Sequence, residues 1–555
     1  MEVNAFETAY KRLNLAQKEA VDTIEGPVMV VAGPGTGKTQ ILTLRIANIL
    51  KNTDTSPESI LALTFTESGA RAMRERLRSY IGAEAYRVSI HTFHGFAENL
   101  IRAYPDAYKK VVGGRPAREI EKVEILESIL ESGEVKLLKP IGNTSFYIPH
   151  ISRSISKMKQ EYITPDNFSK IINEQEKELS LITKIHEKGA HKGKVRSEYQ
   201  KKEKGINKNR ELLFVYKTYE VLLEDRKLYD FDDMILETVS ALKDNEDMLR
   251  DLQETYQYIL ADEHQDVNGS QNEILDILTS YHEQPNLFVV GDEKQAIFRF
   301  QGASLENFLY FEDRFNDTKT ISLTKNYRSG QNILDSAHSL ISTDTGPAAN
   351  LRVPLTAEVV GKSDVERRRF SHQAVEDEWL LSSVKKLAKT DVELNEIAVI
   401  VRTNREVEDI TVRLRKNGVA VNASADGDIL SHPVTNTVRA LIDAVIETGN
   451  EEGLFKILHG AYWNIPTDDL VRIFSSRSFN EPIFGILKDE EKLKTLGVIN
   501  ISESFRVTEV LDTARKMNSS NAPHHVLEYI LKESGYLDEL MKTDPLGGGR
   551  VIRRL

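Results

Sequence analysis

The sequence predicts an α/β protein built on a parallel sheet and interrupted by helical stretches. Three observations carry that prediction. The apolar run VMVVA at 28–32 breaks into a Gly-rich loop, followed at once by Lys38 and Thr39. Strand-like runs (VMVVAG, ILALTF, VSIHTF) alternate with amphipathic helical stretches over 1–105. The runs YQYILADE (256–263) and NLFVVGDE (286–293) end in acids, at the strand ends where open parallel sheets bind ligands.

Composition bounds the rest. At 555 residues the chain is too long for one core, and two to four domains are expected. No apolar run approaches a membrane span, and no charged-then-apolar leader opens the chain. Cysteine is absent, which excludes disulfides and Cys-ligated metal sites and fits a cytoplasmic location. The net charge of −12 argues against a nucleic-acid partner, yet a global sum leaves room for a local basic groove.

The loop formed by Ala32, Gly33, Pro34, Gly35, Thr36 and Gly37 presents successive N–H groups at a helix N-terminus, a cradle for phosphate. Lys38 would reach the β and γ phosphates and Thr39 would place its hydroxyl on Mg²⁺. This points to ATP or GTP. Ala32 stands where the motif usually opens with Gly. Upstream, Gln17 in LNLAQKEAVDTIEGP offers a donor and an acceptor to an adenine edge.

Next, Thr64, Phe65 and Thr66 end one strand, and Thr92, Phe93 and His94 another. Both sets are placed to line a single-strand path along the sheet edge. Strand signals then vanish over 106–228. Within that stretch, 187–210 carries nine Lys or Arg against three Glu. It reads as a mobile basic loop, a nucleic-acid contact or a solvated connection.

ILADEHQD (259–266) places Asp262 to hold Mg²⁺ and Glu263 to take a proton from an attacking water. In VVGDEKQAIFRFQGA (289–303), Gln295 follows a strand and can sense a γ-phosphate. Phe298, Arg299 and Phe300 interleave aromatic and basic groups, a pattern that stacks unpaired bases or, alternatively, fills a core. In LTKNYRSGQNIL (323–334), Arg328 can stabilise charge on a transferring phosphoryl group and Tyr327 can lie on an adenine face. A further strand is expected in EIAVIVRTN (396–404), and helix from about 449 onward.

In that order, these stretches resemble the UvrD/Rep-type superfamily 1 DNA helicases. LYDFDDMI (228–235) and AVIVRTN add to the match. The resemblance implies a P-loop NTPase with tandem RecA-like parallel-sheet domains, each carrying a helical insertion. Residues 1–105 and 229–312 would form the first, 106–228 its insertion, 313–448 the N-terminal part of the second, and 449–555 a second insertion. It implies ATP and Mg²⁺ as cofactors and single-stranded or 3′-tailed duplex DNA as partner, with 3′→5′ movement. Lys38 and Thr39 would bind phosphate and metal, with Asp262 on the metal. Glu263 would activate water. Gln265 and Gln295 would couple the γ-phosphate to domain movement, and Arg328 would be the arginine from the second domain. Gln17 and Tyr327 would hold adenine, and Phe65, Phe298 and Phe300 would touch DNA.

Some positions depart from the family pattern. His264 stands for Phe or Tyr, Glu67-Ser68 for Asn-Lys, Phe300 for Trp and Gln301 for Arg. Two later family motifs, one supplying a second γ-phosphate Arg, are absent up to Leu555. A truncated second RecA-like domain is therefore expected. An ATP-gated DNA-binding fragment with little turnover, or the motor part of a helicase–nuclease, stands as the alternative.

Overall fold

The computed structural model describes residues 5–139, 146–186, 194–295, 311, 314–315, 317–343, 353–361, 364–423, 433–446, 451–477, 482–518 and 522–543. Two compact units divide the chain, Met1–Glu366 and Arg367–Leu555.

In the first unit, α1 (Ala5–Lys11) and α2 (Leu15–Asp22) precede β1 (Val28–Ala32). Then follow α3 (Lys38–Asn52), β2 (Ile60–Thr64), α4 (Glu67–Ile81), β3 (Ser89–Thr92) and α5 (Phe93–Ala103). The short strands β4 (Arg115–Pro116) and β5 (Leu228–Tyr229) pair in parallel and close the neck of a helical insertion. The insertion contains α6 (Glu119–Glu131), α7 (Ile148–Gln160), α8 (Pro165–Ser180) and the 29-residue α9 (Ser197–Asp225). The chain returns through α10 (Phe231–Asp244), α11 (Glu246–Thr255), β6 (Tyr258–Ala261), α12 (Gly269–Thr279) and β7 (Leu287–Gly291). β8 (Lys319–Leu323), β9 (Lys325–Asn326), α13 (Gln331–Ile341) and β10 (Thr356–Ala357) complete it.

Six strands form one sheet in the order β3-β2-β6-β7-β1-β8, every pair parallel. A parallel sheet covered by helices must bury both faces, and the sequence alternates accordingly. Val28, Val30 and Ala32 face the core shared with α2, α3 and α4, while Met29 and Val31 face α5, α10 and α12. The order makes β6, β7, β1 and β8 neighbours, so their carboxyl ends deliver the phosphate loop, the acidic motif, GDEKQ and NYRS to one edge. The insertion has its own core, including Ile125, Ile151, Phe168, Ile172, Tyr216 and Tyr219.

Three sequence expectations need correction, two of them in this unit. β8 was expected to open a second domain at 313, but it pairs with β1 from Val28↔Lys319 to Ala32↔Leu323 and belongs to the first sheet. Its partner lies some 290 residues back, beyond the reach of any local pattern. The basic stretch expected as a loop at 187–210 is helical from Ser197 onward, as the first half of α9; its first seven residues lie outside the described ones.

The second unit is helical among the described residues. Its core gathers Leu441, Ile457, Trp463, Ile473, Leu511 and Ile530, among others. The strand expected at 396–404 is not formed: 397–402 joins no ladder, and Ile400 is 92% exposed. A strand exists only through its neighbours, and the described residues of this unit offer none. No helix among the described residues is long and apolar enough to cross a membrane.

Candidate active site

The phosphate loop runs from buried β1 into α3, with Gly35 at φ +71° and Gly37 at φ +92°. Both lie in the left-handed region that glycine enters without a Cβ penalty. A Cβ on Gly35 would also sit 2.7 Å from atoms of Asn326 and Arg328, and one on Gly33 would sit 2.7 Å from Leu355. The amides of Gly35, Gly37, Lys38 and Thr39 make no backbone hydrogen bond among the described residues. That is the donor set a helix N-terminus leaves for an anion. Ala32 at the loop's start is fully buried and pairs with Leu323, so a methyl is accommodated there.

Lys38 Nζ lies 2.6 Å from Glu263 Oε2. Glu263 also accepts from Gln265 Nε2 at 2.9 Å. Gln265 Oε1 in turn accepts from the Asp292 amide at 2.9 Å, and Asp292 Oδ2 from Gln295 Nε2 at 2.8 Å. One relay thus joins the ends of β1, β6 and β7 through Lys38, Glu263, Gln265, Asp292 and Gln295. Asp292 is 1% exposed. It stands inside the GDEKQ motif but drew no role from sequence, because its function lies in who it contacts.

Glu263 is held at φ 48°, ψ 44°, a conformation that costs a non-glycine residue about 1–2 kcal/mol. Its strain sits where the chemistry would occur. Asp262 beside it is buried, and burial pushes its carboxyl up to about 7, with Glu263 adding and Lys38 opposing. Burial and Glu263 likewise lift Asp266 to about 6. His264 packs edge-on to Phe311 at 6.0 Å, and burial pushes its imidazole down to about 4, so it is neutral. An aromatic contact is thereby retained where the family pattern has Phe or Tyr. A hydroxyl and a carboxylate, from Thr39 and Asp262, are oxygen donors that suit Mg²⁺.

Gln17 is 3% exposed and already committed at both ends. Its Oε1 accepts from the Asn14 amide at 3.0 Å, and its Nε2 donates to Thr36 O at 2.8 Å. It props the phosphate loop against α2. Tyr327 is nearby, its hydroxyl accepting from Asn14 Nδ2 at 3.0 Å and its amide donating to Gly35 O at 2.9 Å. Asn326, which sequence reasoning passed over, donates to Pro34 O and accepts from the amides of Arg328 and Ser329 at 2.9 and 2.7 Å. It seats Arg328 against the loop. The Arg328 side chain is exposed and makes no ion pair among the described residues.

The expected DNA edge divides. Thr66 caps α4 through Gly69 and is exposed, and Phe65 is half-buried. Thr64 is buried at the end of β2. Thr92 caps α5 and donates to Glu67 Oε1 at 2.7 Å, tying the ends of β2 and β3 together. Phe93 is 2% exposed and belongs to the core under the sheet, which corrects its expected DNA contact. His94 stacks on Phe231 with ring centroids 3.8 Å apart and planes 16° off parallel. Phe298, Arg299 and Phe300 lie outside the described residues.

A phosphate loop after β1 and an acidic strand end on β6, one strand apart in the same parallel sheet with β7 between them and joined by a glutamine relay, define the class: a P-loop NTPase of the RecA-like type. The UvrD/REP helicase N-terminal domain model matches residues 13–316, and the UvrD-like helicase C-terminal domain model matches 321–494. The chain therefore belongs to the UvrD/REP helicase family, a family of ATP-dependent DNA helicases. It is 25% identical to the ATP-dependent DNA helicase PcrA of Staphylococcus epidermidis, over 96% of this chain and 67% of that protein. It is 26% identical to the PcrA of Leuconostoc citreum, over 98% of this chain and 68% of that one.

Proposed function

We propose that this chain couples ATP hydrolysis to 3′→5′ movement along single-stranded DNA and opens 3′-tailed duplexes, in repair, replication or recombination. The relay from Lys38 to Gln295 supports the reading most directly. It ties the phosphate-binding lysine, the base and the γ-phosphate sensor into one bonded chain.

Lys38 exchanges Glu263 for phosphate oxygens when nucleotide enters. Glu263, released from that pair, accepts a proton from the attacking water. Gln265 and Gln295 share Asp292, so displacement of either shifts the other. Arg328, seated by Asn326, faces charge developing on the phosphoryl group. Tyr327 and the remaining N–H of Gln17 serve adenine. Thr39 and Asp262 hold Mg²⁺, which would neutralise phosphate charge. Thr66, Phe65 and His94 offer the strand-end surface to DNA, with Phe298, Arg299 and Phe300 assigned to it by their interleaved aromatic and basic pattern and, for the two Phe, by resemblance. The direction follows the branch the chain resembles, as does a place in the cytoplasm.

Strand displacement on duplexes with a 3′ or a 5′ tail tests this. ATP-dependent opening of only the 3′-tailed substrate is the expected result. Opening of the 5′-tailed one overturns the direction. ATP-dependent DNA binding with no hydrolysis favours the binding-fragment alternative.

A further inference from the structure

A buried joint fastens the helical insertion to the nucleotide domain. Lys159 on α7 is fully buried, and its Nζ contacts Glu220 Oε1, Asp230 Oδ2 and Asp233 Oδ1 at 2.6, 2.6 and 2.7 Å. Lys110 closes the set, 2.6 Å from Glu220 Oε2 and 2.9 Å from Asp233 Oδ1. One turn of α7 therefore reads the first turn of α10. Ser156 and Gln160 reach Asp232 at 2.5 and 3.1 Å on either side of Lys159.

This joint touches both expected working surfaces. Phe231, between Asp230 and Asp232, is the residue stacked on His94 at the strand-end edge. At the same, C-terminal end of α7, its cap Glu161 abuts Gly269, the first residue of α12. A Cβ on Gly269 would lie 3.1 and 3.2 Å from the Glu161 backbone. Asn268, the cap of α12, is two residues past the turn His264–Asp266, which begins at the strained Glu263. A rigid displacement of α7 therefore bears on α12 and, through that short turn, on the geometry of Glu263.

We propose that the α7–α10–α12 joint, locked by Lys159 and read by Ser156 and Gln160, is the route by which single-stranded DNA at the His94 edge accelerates hydrolysis at Glu263. This rests on the reading given under Proposed function. Ser156, Gln160 and Gly269 are positioning residues; none touches the phosphate loop or Glu263. The element with two arrangements is the Glu263 carboxylate, paired with Lys38 or released from it.

The test measures ATP hydrolysis by the full chain with and without oligo(dT), together with oligo(dT) affinity by anisotropy and the melting temperature. Ser156→Ala/Gln160→Ala is expected to keep the unstimulated rate, DNA affinity and melting temperature while DNA stimulation falls by about fivefold or more. Gly269→Ala, whose Cβ presses on the Glu161 backbone, is expected to lower DNA stimulation by a larger factor than the unstimulated rate, and Ser156→Thr, which keeps the hydroxyl, to retain stimulation. Stimulation equal to wild type in both loss variants overturns the proposal. So does an equal fall in both rates, which would mean a merely structural joint. A wild type that DNA does not stimulate overturns the reading beneath it, and that arm alone judges the reading.

Discussion

Two ion-pair networks in the first unit make an instructive contrast. At the strand ends, Lys38 has one carboxylate partner, and the two side chains are 10% and 35% exposed. Beneath the insertion, Lys159 is wholly enclosed by three acids and shares two of them with Lys110. A single pair open to solvent on its glutamate side contributes less stability and breaks more readily. A buried cluster is costly to break because the partners left behind stay charged and dry. Under the proposed function, the first exchanges its partner for phosphate. The second holds two bodies in fixed register.

The sharpest way to break this contrast lies at the strand ends. Glu263→Gln should retain ATP binding and lose turnover by about 10²–10⁴-fold, the share of a positioned general base. Hydrolysis at the wild-type rate would remove Glu263 from that role. At the joint, Lys159→Met should destabilise the protein by about 3–5 kcal/mol. Lys38→Met should stay within about 1 kcal/mol, and denaturant unfolding compares the two. Equal losses would erase the distinction between a pair that exchanges and one that holds.

Smaller effects sharpen it further. Phe93→Ala should cost about 3–5 kcal/mol of stability through its core cavity, whereas Phe65→Ala should weaken oligo(dT) binding by about 1–3 kcal/mol. The reverse assignment would put the DNA edge elsewhere. Finally, Asp262 carries a carboxyl raised to about 7. A raised carboxyl stabilises the fold only while protonated, fully below its ordinary value near 4, and that contribution is lost as pH climbs through about 7. Without nucleotide or Mg²⁺, Asp262→Asn should melt above wild type at pH 8, with the gap closing towards pH 5. A pH-independent gap would contradict the shift.

What was legible in the sequence was whatever the chain writes within a few residues. The phosphate loop, ILADEHQD and the parallel-sheet pattern are of this kind, because a strand, a turn and the next helix suffice to place their side chains. What was not legible depends on distant partners. Asp292 matters because Gln265 reaches it from another strand. Gln17 is committed to a carbonyl 19 residues away. β8 joins the first sheet because β1 has a free edge, and Phe93 is buried because α5 turns that face inward. Ile397–Arg402 has the composition of a strand, yet among the described residues it has no ladder to join. The joint at Lys159 was visible only as LYDFDDMI, a stretch whose acids acquire meaning from a lysine some 70 residues upstream.

The central claim is that Lys38 and Glu263 form a nucleotide site that DNA drives. It is tested most directly by ATP hydrolysis of this 555-residue chain with and without single-stranded DNA, beside Lys38→Ala. The account predicts turnover that DNA stimulates and that the substitution abolishes. Turnover that survives Lys38→Ala, or that DNA leaves unchanged, would contradict it.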